Sequence, residues 1–234
     1  MEVCQTDPRI HFLYMPQSLN PSNIEEIHAS LEIIENYKGP CALILTSKNP
    51  KIFCAGMDLK FIRKNGILTG KHIAESLLKI LARLLNLPCP IIAAINGHAI
   101  AGGLLLALSA DYVIMTSESG SLAMTEILIG LVIPSGANML LKAKLHPAVH
   151  RDLALKGVYF NSAQAKEAGI VDLLVPKSDL ITRAVYEAQE MLVDGGVHQV
   201  IKAQRTTIYA QVISRCEKGV YDPEFYNVMK FSKL

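Results

Sequence analysis

The sequence predicts an α/β fold, and three observations carry that prediction. Two short, continuous apolar runs, CALILT (41–46) and IIAAI (91–95), read as strands buried on both faces. Each is followed by a glycine-marked turn and then by leucines at helical spacing. Past about residue 135 the chain turns mostly helical, with one more short apolar run, IVDLLV (170–175).

The elements follow in order. IHFLYM (10–15) reads as a strand. Asn20-Pro21-Ser22 opens a helix over 22–36, with Ser22 or Asn23 as N-cap and Glu25 and Glu26 in the first turn. Gly39-Pro40 stops it, and the strand 41–46 leads into a turn-rich loop, 47–56. A helix over 73–87 ends at Leu-Pro-Cys-Pro. Strand 91–95, helix 102–109 and strand 112–115 come next. Helices are expected over 135–145, 147–156 and 162–168, the last ended by Gly169, and two long helical patterns cover 179–193 and 197–214. Such alternation predicts right-handed crossovers. The expected division is a core with the active site over 1–178 and a C-terminal helical region over 179–234.

Composition narrows the function. Half of the 234 residues are hydrophobic and the formal net charge is only +2. No basic run stands out, aromatic residues are sparse and tryptophan is absent, so a nucleic-acid partner is not expected. The five cysteines form no CxxC and read as free thiols. No metal is expected. The N-terminus lacks the pattern of a secretory signal. PIIAAINGHAIAGGLLLALSADY is apolar, but Asn96, His98 and the glycines break it, so no membrane span is expected. The sequence ends in Ser232-Lys233-Leu234, which matches a receptor-read peroxisomal address.

GHAIAGG is not GxGxxG, no P-loop lysine follows it, and there is no GxSxG elbow. What remains is two glycine-marked turns after buried strands: FCAGMDL (53–59) and Ala101-Gly102-Gly103. Each puts bare backbone amides beyond a strand end. Two converging N–H groups stabilise charge developing on a carbonyl oxygen, one such donor being worth roughly 3 kcal/mol of barrier. Gly102-Gly103 could equally let a helix pack tightly on a strand. Downstream, Glu126 lies in the apolar stretch MTEILIGLVIPSG. A carboxylate desolvated there suits acid–base work; an exposed edge or helix-cap glutamate is the other reading.

FCAGMDL, INGHAIAGG, TEILIGLVIPSG and AKEAGIVDLLVP, in this order, resemble the crotonase family, also called the enoyl-CoA hydratase/isomerase family. The resemblance implies a spiral of ββα turns followed by a helical trimerisation region. It also implies that the N–H groups of Met57 and Gly102 form an oxyanion hole for an acyl-CoA thioester, with Glu126 as the proton carrier. Ala55, Asp58, Leu59, Ile100, Leu105 and Ile129 are the substrate-binding candidates. Hydratases of the family carry two glutamates, and at the first of those positions this chain has Leu105. It is therefore most similar to the single-glutamate branch, the Δ3,Δ2-enoyl-CoA isomerases, and in GHAIAGGLLLALSADYVIM to the plant-type peroxisomal members. Coenzyme A enters as part of the substrate and no cofactor is implied. A homotrimer or hexamer in the peroxisomal matrix, delivered by the import receptor, is the implied setting.

Alternatives are another crotonase-type acyl-CoA enzyme (hydratase, thioesterase or dienoyl-CoA isomerase) or a non-catalytic acyl-CoA-binding protein. Lesser candidates have plain structural readings. Asp58 could contact coenzyme A or cap a helix. Lys51 and Lys60 could meet phosphates or simply be solvated. Ser135 is expected to cap the next helix, His98 to be a satisfied structural histidine and Cys54 to be inert.

Overall fold

A computed structural model of the chain describes residues 1–192 and 197–219. Two sheets dominate. The larger has six strands in the order β1 (Glu2–Val3), β2 (Ile10–Tyr14), β3 (Ala42–Thr46), β5 (Ile91–Ile95), β7 (Tyr112–Thr116) and β10 (Leu173–Val175). All neighbours are parallel except β1–β2. The smaller sheet orders β4 (Ile52–Cys54), β6 (His98–Ile100), β8 (Ser121–Ala123) and β9 (Phe160–Asn161). Its first three strands are parallel.

The two sheets exchange strands in a regular way. β3 leads to β4 and then to the helices α2 (Leu59–Asn65) and α3 (Ile67–Asn86). β5 leads to β6 and α4 (Gly102–Leu108). β7 leads to β8, a 3-10 turn at Glu126–Ile129 and α5 (Ser135–Lys144). These are the expected ββα turns. The long apolar strands fall where the sequence places them because both faces are covered: Leu43 and Leu45 enter one core, Ala42 and Ile44 the other. α6 (Pro147–Lys156) and α7 (Ser162–Glu167) follow. The second core is closed by α8 (Leu180–Met191), whose Leu180, Ala184 and Ala188 lie on Ile44, Ile92, Ala94 and Ile114.

Several expectations need correction. The 47–56 loop contains β4, and β6, β8 and β9 are further strands that three residues or fewer could not announce by periodicity. α1 (Pro21–Glu35) is capped by Asn20, not Ser22 or Asn23. Asn23 is the reciprocal partner of a capping box, its N–H donating to Asn20 Oδ1 at 3.2 Å while its own Oδ1 accepts from the Asn20 N–H at 3.0 Å. Glu25 and Glu26 accordingly fall in the second turn. The 197–214 pattern is two helices, α9 (Val197–Ile208) and α10 (Ala210–Glu217), broken at Tyr209 so that α10 can lie across α3 and α5. No helix among the described residues is long and apolar enough to cross a membrane. Ser232, Lys233 and Leu234 lie outside the described residues.

Candidate active site

The parallel strands of the small sheet decide where the site forms. β4 ends at Cys54, β6 at Ile100 and β8 at Ala123, side by side. The chain therefore leaves the sheet at one edge three times, through Ala55-Gly56-Met57, Ala101-Gly102 and Thr125-Glu126. Clefts beyond the carboxyl ends of parallel strands are common ligand sites. Here the three exits line one pocket of about 680 Å³, its mouth included.

The first exit is shaped by Gly56, whose φ of +76° favours glycine. A Cβ there would stand 3.0 Å from the Gly102 N and 3.1 Å from the Ile100 O, so the first two exits are in contact. Leu19 fixes the next residue: its N–H donates to the Gly56 O and its O accepts from the Asp58 N–H. That is the pattern of a parallel bridge to Met57. It leaves the Met57 N–H on the other side of the strand, with no acceptor among the described residues.

The second exit turns through Ala101, the one non-glycine residue with positive φ among those described, at +54°. Gly102 then begins α4, where a helix leaves its first N–H groups unsatisfied. The glycine pair divides the two roles considered for it. A Cβ on Gly103 would sit 1.9 Å from the Cys54 O, so Gly103 serves close packing of α4 on β4. Gly102 lines the pocket.

The third exit carries Glu126 at the head of the 3-10 turn. Its Oε2 is buried without a hydrogen-bond partner. Burial pushes the Glu126 carboxyl up to about 7, opposed weakly by its own backbone N–H. An unpaired buried carboxyl is unfavourable, and perturbed groups of this kind cluster at functional sites. Of the described side chains lining the pocket, only those of Glu126 and Thr125 carry a polar N or O atom.

Of the residues singled out in the sequence, Ala55, Met57, Leu59, Gly102, Leu105, Glu126 and Ile129 line this pocket. Asp58 and Ile100 do not. The Asp58 carboxylate accepts from the Phe61 N–H at 2.9 Å and caps α2. Sequence reasoning missed Thr125, the α3 wall of Ala74, Leu77 and Leu78, and the wall of Leu131, Val132, Pro134 and Ala137. A helical stripe of leucines looks the same whether it faces a core or a cavity, so α3 gave no separate signal.

Smaller expectations resolve here too. Ser135 is not an N-cap; Pro134 holds that place, and the Ser135 Oγ accepts from Arg215 Nε. His98 is exposed, as are Lys51 and Lys60. Cys54 is buried, its thiol pushed up to about 11. The expectation of no metal overlooked His146 and His150, four apart in sequence. His146 Nδ1 accepts from the Ala148 N–H and His150 Nε2 bonds the Asn138 Oδ1. Among the described residues no three His, Cys, Asp or Glu side chains gather as a metal site.

Comparison with known proteins gives the architecture its context. The sequence model of the enoyl-CoA hydratase/isomerase family matches residues 14–218. The chain belongs to this family. Enoyl-CoA delta isomerase 2, peroxisomal, of Arabidopsis thaliana is 34% identical over 216 residues, covering 90% of this chain and 85% of its own. Enoyl-CoA delta isomerase 3 of the same plant is 36% identical over 157 residues, 65% of this chain and 66% of its own. The crystal structure of an enoyl-CoA hydratase from Bacillus anthracis superposes with a TM-score of 0.81 at 26% identity, covering 99% of this chain and 91% of its own. Membership in the enoyl-CoA hydratase/isomerase family accounts for the ββα spiral and supports an acyl-CoA isomerase or hydratase role.

Proposed function

We propose that this protein is a Δ3,Δ2-enoyl-CoA isomerase of fatty-acid β-oxidation. The observation that carries the reading is a single carboxyl, Glu126, in a pocket otherwise apolar but for Thr125, beside two backbone N–H groups. Glu126 removes a proton from C2 of a 3-enoyl-CoA. The negative charge moves onto the thioester oxygen, which accepts from the N–H groups of Met57 and Gly102. The same carboxyl returns the proton at C4, giving the trans-2-enoyl-CoA.

Adding water across a double bond calls for a second acid–base group to hold the water. At the position where the two-glutamate relatives would supply it, this pocket has Leu105. Apolar lining from Leu59, Leu77, Leu105 and Ile129 keeps water away from the intermediate. Ala55 and Ile129 flank the reacting region, while Asp58 caps α2 and Ile100 ends β6 outside the lining. No resident cofactor or metal takes part; coenzyme A arrives and leaves with the acyl group. The names of the two Arabidopsis relatives support this branch over hydration.

The test uses purified protein and a Glu126→Gln variant, each given a 3-enoyl-CoA and separately a 2-enoyl-CoA. Conversion of the first substrate, lost in the variant, with little hydration of the second, is the expected result. Comparable hydration would overturn the isomerase assignment in favour of a hydratase. Binding without turnover of either would point to an acyl-CoA-binding protein.

The setting proposed is the peroxisomal matrix, reached through Ser232, Lys233 and Leu234. A fluorescent fusion should be punctate with the full chain and diffuse without those three residues. The assembly proposed is a homotrimer or hexamer. Ile127 and Leu128, both exposed, lie against Gly157, and Leu155 and Tyr159 nearby in sequence are exposed as well. Light scattering of the purified protein should give three or six chain masses.

A further inference from the structure

Helix α10 stands behind two walls of the pocket at once. It packs against α3, which supplies Ala74, Leu77 and Leu78, and against α5. The joint with α5 is close. A Cβ on Gly136 would lie 2.8 Å from the Cys216 Sγ and 3.2 Å from the Cys216 backbone. One residue earlier on each helix, the Arg215 Nε–H donates to the Ser135 Oγ at 2.5 Å.

What this joint holds is the segment just before it. Residues 131–134 form no regular structure, yet Leu131, Val132 and Pro134 line the pocket with Glu126. Three anchors fix the segment, one of them within α5 itself, where the Asn138 N–H donates to the Pro134 O at 2.9 Å. At its front the Leu131 N–H donates to the Glu126 O at 2.9 Å. At its back is the Ser135–Gly136 joint with α10. If the rear anchor loosens, the irregular wall is free to draw back from the carboxyl it covers, and water can follow.

We propose that Arg215, acting through Ser135, is a positioning residue for the acyl-CoA site: α10 clamps the start of α5 and so holds the 131–134 wall over Glu126. The proposal rests on the reading of Glu126 as the proton carrier, and its test separates the two. Among the described residues no other titratable side chain lines the pocket. The element packed on the 3-10 turn, α6, carries His150, Arg151, Asp152 and Lys156. Asp152 pairs with Arg151 and Lys156, His150 bonds Asn138, and among the described residues no charged neighbour contributes to the state of Glu126. Water entry is therefore the event that a titration of Glu126 would report.

The experiment titrates the Glu126 carboxyl by 13C NMR in wild type, Arg215→Gln and Ser135→Ala, with Glu126→Gln as the blank. Gly136→Ala, which wedges the joint from the other helix, is the independent variant. The expected result is a midpoint lower by half a pH unit or more in all three. In turnover, kcat/KM should fall several-fold, chiefly through KM, with the acid limb moved the same way. An unmoved midpoint in variants whose circular dichroism shows them folded would overturn the clamp. Should Arg215→Gln or Gly136→Ala fail to fold, Ser135→Ala, which deletes one half-buried hydroxyl and adds no bulk, decides the matter. A midpoint that shifts as expected in a protein that never converts 3-enoyl-CoA would keep the clamp and sink the isomerase reading instead.

Discussion

Glu126 is held in a place that favours its neutral form, and both activity and stability should show it. Its folded-state ionisation lies near 7 against an ordinary value of 4.5. The proposed first step needs the carboxylate, so kcat/KM should rise with pH through about 7, roughly two units later than for an exposed glutamate. A pH–rate profile on a 3-enoyl-CoA checks this; an acid limb near 4.5 would contradict it. For stability the sign runs the other way. The folded chain holds the proton between about 4.5 and 7, so this stabilisation is complete below 4.5 and lost as pH rises through 7. At pH 8 the buried charge costs about 3 kcal/mol, and Glu126→Gln should be more stable by up to that amount in urea melts, with little gain at pH 4.5. Glu126 was legible because an acid interrupts an apolar run. Thr125 was not, since a lone threonine beside it carries no comparable signal.

At the scale of elements, two backbone positions make opposite predictions. Gly103 has no room for a side chain: Gly103→Ala would drive a methyl into the Cys54 carbonyl at 1.9 Å. Overpacking of this kind costs typically 1–3 kcal/mol or more, and Tm should fall accordingly. Ala101, at φ +54° and ψ −121°, sits where side chains are strained. Such strain costs of order 1–3 kcal/mol, only partly offset by the extra unfolded-chain freedom of glycine. Ala101→Gly should therefore raise stability by about 1 kcal/mol in a thermal melt. The helices and longer strands were readable because burial stamps a period of 3.6 on a helix and a continuous apolar run on a strand of about five residues. β4, β6 and β8 were not. Three residues hold no period, and each strand exists because its neighbour does. The glycines that let the exits approach were visible, but which served packing depended on a carbonyl some fifty positions away.

Across the whole molecule, Arg205 ties the C-terminal helices to the core. Its guanidinium is 3% exposed and forks onto Asp111 at 3.0 and 2.5 Å. The remaining donors reach the carbonyls of Leu84, Leu87 and Cys89. Asp111 in turn accepts from the Ile91 N–H at the start of β5. Removing one partner of a buried pair costs about 3–5 kcal/mol. Arg205→Ala should therefore lower Tm by roughly 10 °C for a chain of this size. Arg205→Lys should rescue little, because an ammonium cannot match the planar fork. Nothing in the sequence pointed to this staple. Arg205 sits mid-helix among polar residues, and its partners lie about a hundred residues back. The fold class was legible as a whole because alternation is a global property; the long-range polar ties that fix it are not.

The small sheet carries a further consequence for change over time. Its three parallel strands deliver three short loops to one space, and each loop belongs to a different ββα turn. The loops behave like pins in a socket: a pin can be replaced without re-cutting the socket or the other two pins. An acid could be gained or lost at the α4 exit, where Leu105 stands, while Met57 and Glu126 kept their places. A scaffold wired this way lets new reactions arise by exchanging one contact at a time, while the backbone of the other two loops is inherited intact.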